Sequence, residues 1–99
     1  MIVEITAAAE ADLEAIGDYI ARDNPARAAT FIQELHHCCM ELAEMPTAWP
    51  TVPRYKRLGI RRRVHGRYLI FYQADPGRVT VLHVLNGAMD VDAVLFPDG

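Results

Sequence analysis

His36, His37, Cys38 and Cys39 stand in a row, and these are the residue types that hold zinc or carry thiol chemistry. Their spacing defeats both uses. The surrounding periodicity is helical, and four consecutive helical positions spread their side chains around the cylinder, so they cannot converge on one ion. Adjacent helical cysteines do not face each other, and there is no CxxC or second cysteine pair. The expectation is one cysteine in the core, the histidines at its edge, and no metal or cofactor.

A second set has the chemistry of recognition. All eight bases of residues 51–99 lie between Arg54 and Arg78, with a single acid among them, Asp75. Residues 1–50 hold nine acids and two bases, Arg22 and Arg27, so a net charge of −3 conceals an acidic first half and a basic second half. Within the basic half, Arg61, Arg63, Tyr68, Tyr72 and His83 alternate with apolar residues. Arginine and tyrosine anchor protein interfaces, and arginine also suits phosphate.

The elements that must position these residues follow from periodicity. The chain is 99 residues, the size of one domain spanning 1–99, and half of it is apolar, which excludes whole-chain disorder. No apolar run approaches a membrane span, and MIVEITAAAEADLEAI has no basic start, so a cytoplasmic protein without membrane partners is expected. Ile2 to Ile5 suits a short strand. Thr6 is a good cap for a helix with the stripe Ala9, Leu13, Ile16, Ile20, while Glu10, Glu14 and Asp18 form an acidic row on another face. Asn24-Pro25 ends that helix and starts a second, with the stripe Ala28, Phe31, Leu35, Cys38, Leu42, Met45 ending near Glu44 before Pro46. Gly17, costly in a helix, is explained if the two helices approach closely there. The proline-rich PTAWPTVPRYKR reads as an ordered loop anchored by Trp49 and Tyr55.

From Leu58 the period changes to two. Three strands follow, separated by His65-Gly66 and Asp75-Pro76-Gly77, the last ending at Asn86-Gly87, and DVDAVLF offers a short helix capped by Asp90. The architecture is α+β: an N-terminal strand, an antiparallel two-helix hairpin packed on a small, mainly antiparallel sheet, and a short C-terminal helix. A His65-Gly66 loop pairs Arg63 with Tyr68 and Arg61 with Ile70; pairing Gln73 with Arg78 sets Tyr72 opposite Val79 and Tyr68 opposite His83. One face then carries Ile60, Val64, Leu69, Phe71, Leu82 and Val84, with Arg62 as the exception, and is expected against the helices. The other carries Arg61, Arg63, Tyr68, Ile70, Tyr72, Val81 and His83, and is expected to be open for a partner.

The stretches ADLEAIGDYIARDNPARAATFIQEL, CMELAEMP, LGIRRRVHGRYLIFYQ and VTVLHVLNGAMD together resemble the ParE toxins of the RelE/ParE toxin–antitoxin superfamily, over nearly the whole chain and in the same order. The resemblance implies a non-enzymatic toxin of a type II pair, associated with plasmid stabilisation, that inhibits DNA gyrase. It implies neutralisation by a ParD-like antitoxin of the ribbon-helix-helix type in a hetero-oligomer, with DNA reached only indirectly through that antitoxin. It also adds Met89 and Asp90 of VLNGAMD to the antitoxin- or target-binding residues Arg61, Arg63, Tyr68, Tyr72 and His83.

Two alternatives stand beside it. The RelE branch cleaves mRNA on the ribosome, which needs groups to activate the 2′-OH, hold the phosphate and protonate the leaving oxygen. His65 and His83 with Arg61 and Arg63 are a sparse set for this, and the residues after Arg78 contain no Lys, Arg or Tyr. The other alternative is a detoxified antitoxin-binding module. Departures bear on activity: Met89 stands where relatives commonly carry arginine, Asn86 where they carry histidine, and the loop after Pro46 lacks their usual Gly-Arg.

Overall fold

Thr6 joins the first strand to the first helix and decides how both meet the sheet. In the computed structural model, which describes residues 1–98, β1 (Ile2–Ile5) runs parallel to β4 (Arg78–Asn86) and pairs with it only as far as Ile5 opposite Val81. The Thr6 amide then donates to the Val81 carbonyl at 3.2 Å, and its hydroxyl lies 2.9 Å and 3.1 Å from the carbonyls of Val81 and Leu82. The same hydroxyl accepts from the Ala9 amide at 3.1 Å and so caps α1 (Ala7–Ala21).

Asn24 caps α2 (Pro25–Glu41), with Pro25 at the first helical position. The helix stops three residues before the expected Glu44. The chain continues through Glu44 in turns closed by i→i−3 bonds, and Met45, expected on the buried stripe, is exposed. Gly17 of α1 faces Ile32 of α2 so closely that an added Cβ would lie 3.3 Å from Ile32 Cγ1, which accounts for glycine there.

A 3-10 segment (Pro53–Leu58) leads into β2 (Ile60–His65), β3 (Tyr68–Asp75) and β4; α3 (Val91–Leu95), capped by the Asp90 carboxylate, follows. Sheet order is β1-β4-β3-β2, mixed because β1 is parallel to β4 while the rest is antiparallel. The β2–β3 loop is Gly66-Arg67, not His65-Gly66, since Gly66 takes the left-handed φ of 59° the turn needs. Both hairpin registers are therefore offset by two residues from expectation. An offset of two keeps each side chain on its face, so Arg61 and Arg63 do share one with Ile70 and Tyr72. Past Val81 the parity changes. Phe71 pairs with His83 and Tyr72 with Val81, so Leu82 bulges; this moves His83 to the face of Phe71 and Val84 to that of Ile70.

Both faces of the sheet are covered, and the expected assignment of faces is reversed. The helices pack on Ile70, Tyr72, Val79, Val81 and Val84, together with Leu13, Ile16, Leu35, Cys38, Cys39 and Leu42. The face expected to meet the helices, with Ile60, Phe71 and Leu69, instead forms a second, smaller core with Tyr55, Leu85 and the apolar side of α3. The reversal has a physical cause: tyrosine and arginine can bury their bodies while their polar ends reach an acceptor at the rim. Tyr72 is 0% exposed, yet its hydroxyl donates to the Pro46 carbonyl at 2.9 Å.

Tyr72→Phe should lower stability by about 1–2 kcal/mol by orphaning that carbonyl. Arg62→Ala, on the outer face, should stay within about 0.5 kcal/mol of the parent. Urea midpoints at unchanged m-values check both.

Candidate functional site

Because β1 stops at Val81, the rest of the β4 edge must find hydrogen-bond partners elsewhere, and α1 supplies one. The Asp12 carboxylate accepts from the Val84 amide at 2.9 Å, and the same oxygen lies 2.7 Å from His83 Nδ1. This three-way contact fastens α1 to β4 and closes one end of a cleft of about 280 Å³. Ala15, Ile16 and Tyr19 of α1 form one wall, Tyr68 of β3 with Val84 to Asn86 of β4 the other, and Met89 overhangs it. Tyr19 is 65% exposed and Met89 49%, so two large apolar side chains stand at its mouth without protein cover.

The turn carrying Met89 is folded by Asn86. Its backbone carbonyl accepts from the Met89 amide at 3.0 Å, and its side-chain oxygen accepts from the Ala88 amide at 2.9 Å. Val84 turns its N–H away from β3 toward Asp12. Strand alternation points the Asn86 amide the same way, along the open edge beside the cleft.

The residues expected to bind a partner thus separate into two groups. Tyr68 and Met89 line the cleft, His83 braces its end wall through Asp12, and Asp90 follows Met89 as the cap of α3. Arg61, Arg63 and Tyr72 belong elsewhere: they share the inward face with Tyr68, but they meet the end of α2 and the loop after it, not the gap between α1 and β4. Arg63 is only 16% exposed. Its guanidinium lies over the Trp49 ring at 4.4 Å, donates to the Cys38 carbonyl at the end of α2 (3.0 Å) and pairs with Glu41 at 3.1 Å. Arg61 donates to the Trp49 carbonyl at 2.7 Å. These two arginines hold the proline-rich loop and the end of α2, where a cation also complements the helix dipole. Sequence reasoning missed Asp12, Ala15 and Tyr19. They recur at helical spacing beside the apolar stripe, and only the early end of β1 leaves them facing an unpaired strand edge.

His65 ties β2 to α2. Its Nε2 lies 3.1 Å from Glu34, its Nδ1 3.6 Å from Cys38 Sγ, and its ring packs on Phe31. Glu34, hydrogen-bonded by Arg27 and then His65, has its carboxyl held below the usual range. Both Cys38 and Cys39 are buried, not just one; burial pushes the Cys39 thiol up to about 12. His36 and His37 are exposed, and no cluster able to hold a metal occurs among the described residues.

Comparison with known proteins places this geometry. A solved structure described as the chromosomal ParDE TA system from P. aeruginosa superposes with a TM-score of 0.72 at 19% identity, covering 87% of this chain and 95% of that one; at this identity the likeness concerns the fold. A search of curated proteins gives no match. The family model described as the ParE toxin of the type II toxin-antitoxin system, parDE, matches residues 3–91. The chain belongs to the ParE toxin family.

The thiols generate a prediction. In the native protein at pH 8, alkylation of Cys38 and Cys39 should proceed only as fast as unfolding exposes them. Since the folded state keeps a proton on Cys39 that the unfolded chain releases near pH 8.5, stability should fall as pH rises from there toward 12. Denaturant melts across that range check the sign.

Proposed function

We propose that this member of a type II toxin family acts by binding: it inhibits DNA gyrase without catalysing a reaction, and a ParD-like, ribbon-helix-helix antitoxin neutralises it by seating an apolar segment in the α1–β4 cleft. The observation that carries this reading is the separation of the groups a nuclease would need together. His65 on β2 faces α2 and His83 on β4 contacts α1, with β3 between them, and each lies against a helix carboxylate. Arg61 and Arg63, the candidate phosphate ligands, are committed to the loop and to α2. Phosphoryl transfer needs base, acid and charge stabiliser around one phosphorus, and this arrangement favours recognition instead.

Exposed Tyr19 and Met89, with the open edge at Asn86, suit an antitoxin segment laid along β4 whose apolar side chains enter the cleft. The gyrase target rests on membership in the ParE family. No helix among the described residues is long and apolar enough to cross a membrane, in keeping with a cytoplasmic site of action.

Purified protein in excess over gyrase should block supercoiling and accumulate cleaved DNA. Absence of both effects removes gyrase as the target, and codon-phased mRNA cuts lost in His83→Ala would replace binding with endonuclease action. Tyr19→Asp with Met89→Asp should weaken antitoxin binding at least tenfold in calorimetry while leaving the melting temperature nearly unchanged.

A further inference from the structure

The second half of the chain carries eight bases, and the structure commits only half of them. Arg61 and Arg63 serve the loop and α2, Arg54 pairs with Asp92 at 2.7 Å, and Arg78 pairs with Glu4 at 3.2 Å. Lys56, Arg57, Arg62 and Arg67 remain: all four are exposed, and none forms an ion pair among the described residues. We propose that these four form a face on which the toxin itself contacts the phosphate backbone of duplex DNA.

Their placement is directional. Arg62 pairs in register with Phe71, which belongs to the outer core, so its side chain projects from the face away from α1 and α2. Lys56 and Arg57 end the 3-10 segment, which packs on that same face through Tyr55, and Arg67 sits in the β2–β3 loop at the other end of β2. The cations therefore follow β2 from end to end. A strand of six residues runs roughly 20 Å, comparable to about six base-pair steps of a duplex.

Carboxylates offset this face in part: Asp75, exposed at the end of β3 on the side of Phe71 and Gln73, adds one negative charge toward the Lys56–Arg57 end. Asp92 is held by Arg54 and the Tyr55 hydroxyl, and Asp90 caps α3. The acidic row Glu10, Glu14 and Asp18 lies on the helical layer, on the far side of the sheet, and at physiological salt charges more than about 8 Å apart through solvent are largely screened.

The relief of the surface selects DNA over an acidic peptide. A peptide needs concavities for its side chains, whereas a phosphate backbone needs long cations on an open surface. The clefts against α1, between the helices and beside α3 draw on none of these four side chains. Sequence reasoning reached DNA only through the antitoxin; this face gives the toxin a contact of its own, independent of the cleft and of the identity of its target.

The test is fluorescence anisotropy of a labelled 20-base-pair random-sequence duplex with the full chain. Four phosphate contacts give log K falling against log salt with a slope of about −3.6, hence a loss of about 150-fold between 50 and 200 mM salt. Replacing Lys56, Arg57, Arg62 and Arg67 together by glutamine should abolish most binding, and Arg62→Gln alone should reduce the slope by about one, which keeps the test decisive if the fourfold variant folds poorly. Arg22→Gln, an exposed base outside this face, should change neither. No binding at 50 mM salt, or binding indifferent to Arg62→Gln, overturns the proposal. So does displacement of the duplex by poly-glutamate at equal charge concentration, which would assign the face to an acidic protein.

Discussion

The β4 edge is the constraint on which the rest of the structure depends. β1 satisfies it only to Val81, and a strand edge left unpaired beside a packed core must find other partners for its backbone. Thr6 and Asp12 take over, one with its hydroxyl and amide, the other with a carboxylate. Those contacts fix where α1 begins and how it crosses the sheet. The position of α1 in turn fixes α2 through the close approach at Gly17, and leaves the gap between α1 and β4 that forms the cleft.

A second consequence is the division of labour among polar side chains. The inner face accepts tyrosine and arginine because their heads reach carbonyls at its rim: Pro46 for Tyr72, Cys38 for Arg63 and Trp49 for Arg61. These contacts connect the sheet to the end of α2 and to the loop after it, so residues with the look of a binding face act as internal struts. The outer face, closed by Tyr55, α3 and the Asp92 clasp, is the thinner layer and carries the uncommitted bases.

Much of the fold was legible in the sequence because it rests on periodicity and caps. The stripes of α1 and α2, the Thr6 and Asn24 caps, the three consecutive strands and the Asp90 cap of α3 follow from local chemistry. What was not legible depended on long-range choices. Alternation sorted Arg61, Tyr68, Ile70 and Tyr72 onto one side but could not say which side the helices would cover, since both sides offer apolar surface. The bulge at Leu82 has no local signature, yet it exchanges the faces expected for His83 and Val84. Of the expected binding residues, Tyr68 and Met89 reach the cleft while Arg61, Arg63 and Tyr72 do not: the four sheet residues share the helix-covered side, but Tyr68 borders the gap between α1 and β4 and the other three meet α2 and the loop after it.

The parallel pairing of β1 with β4 joins parts of the chain about 75 residues apart. Contacts of that separation are the costly ones to close, because the intervening chain loses its freedom before the pairing returns anything. On the ribosome, the helical hairpin emerges long before its strand partner exists. The cleft, built from α1 and β4 together, cannot assemble until β4 has been made. A nascent chain that lacks β4 therefore has no cleft to offer, even when the helical hairpin has already folded.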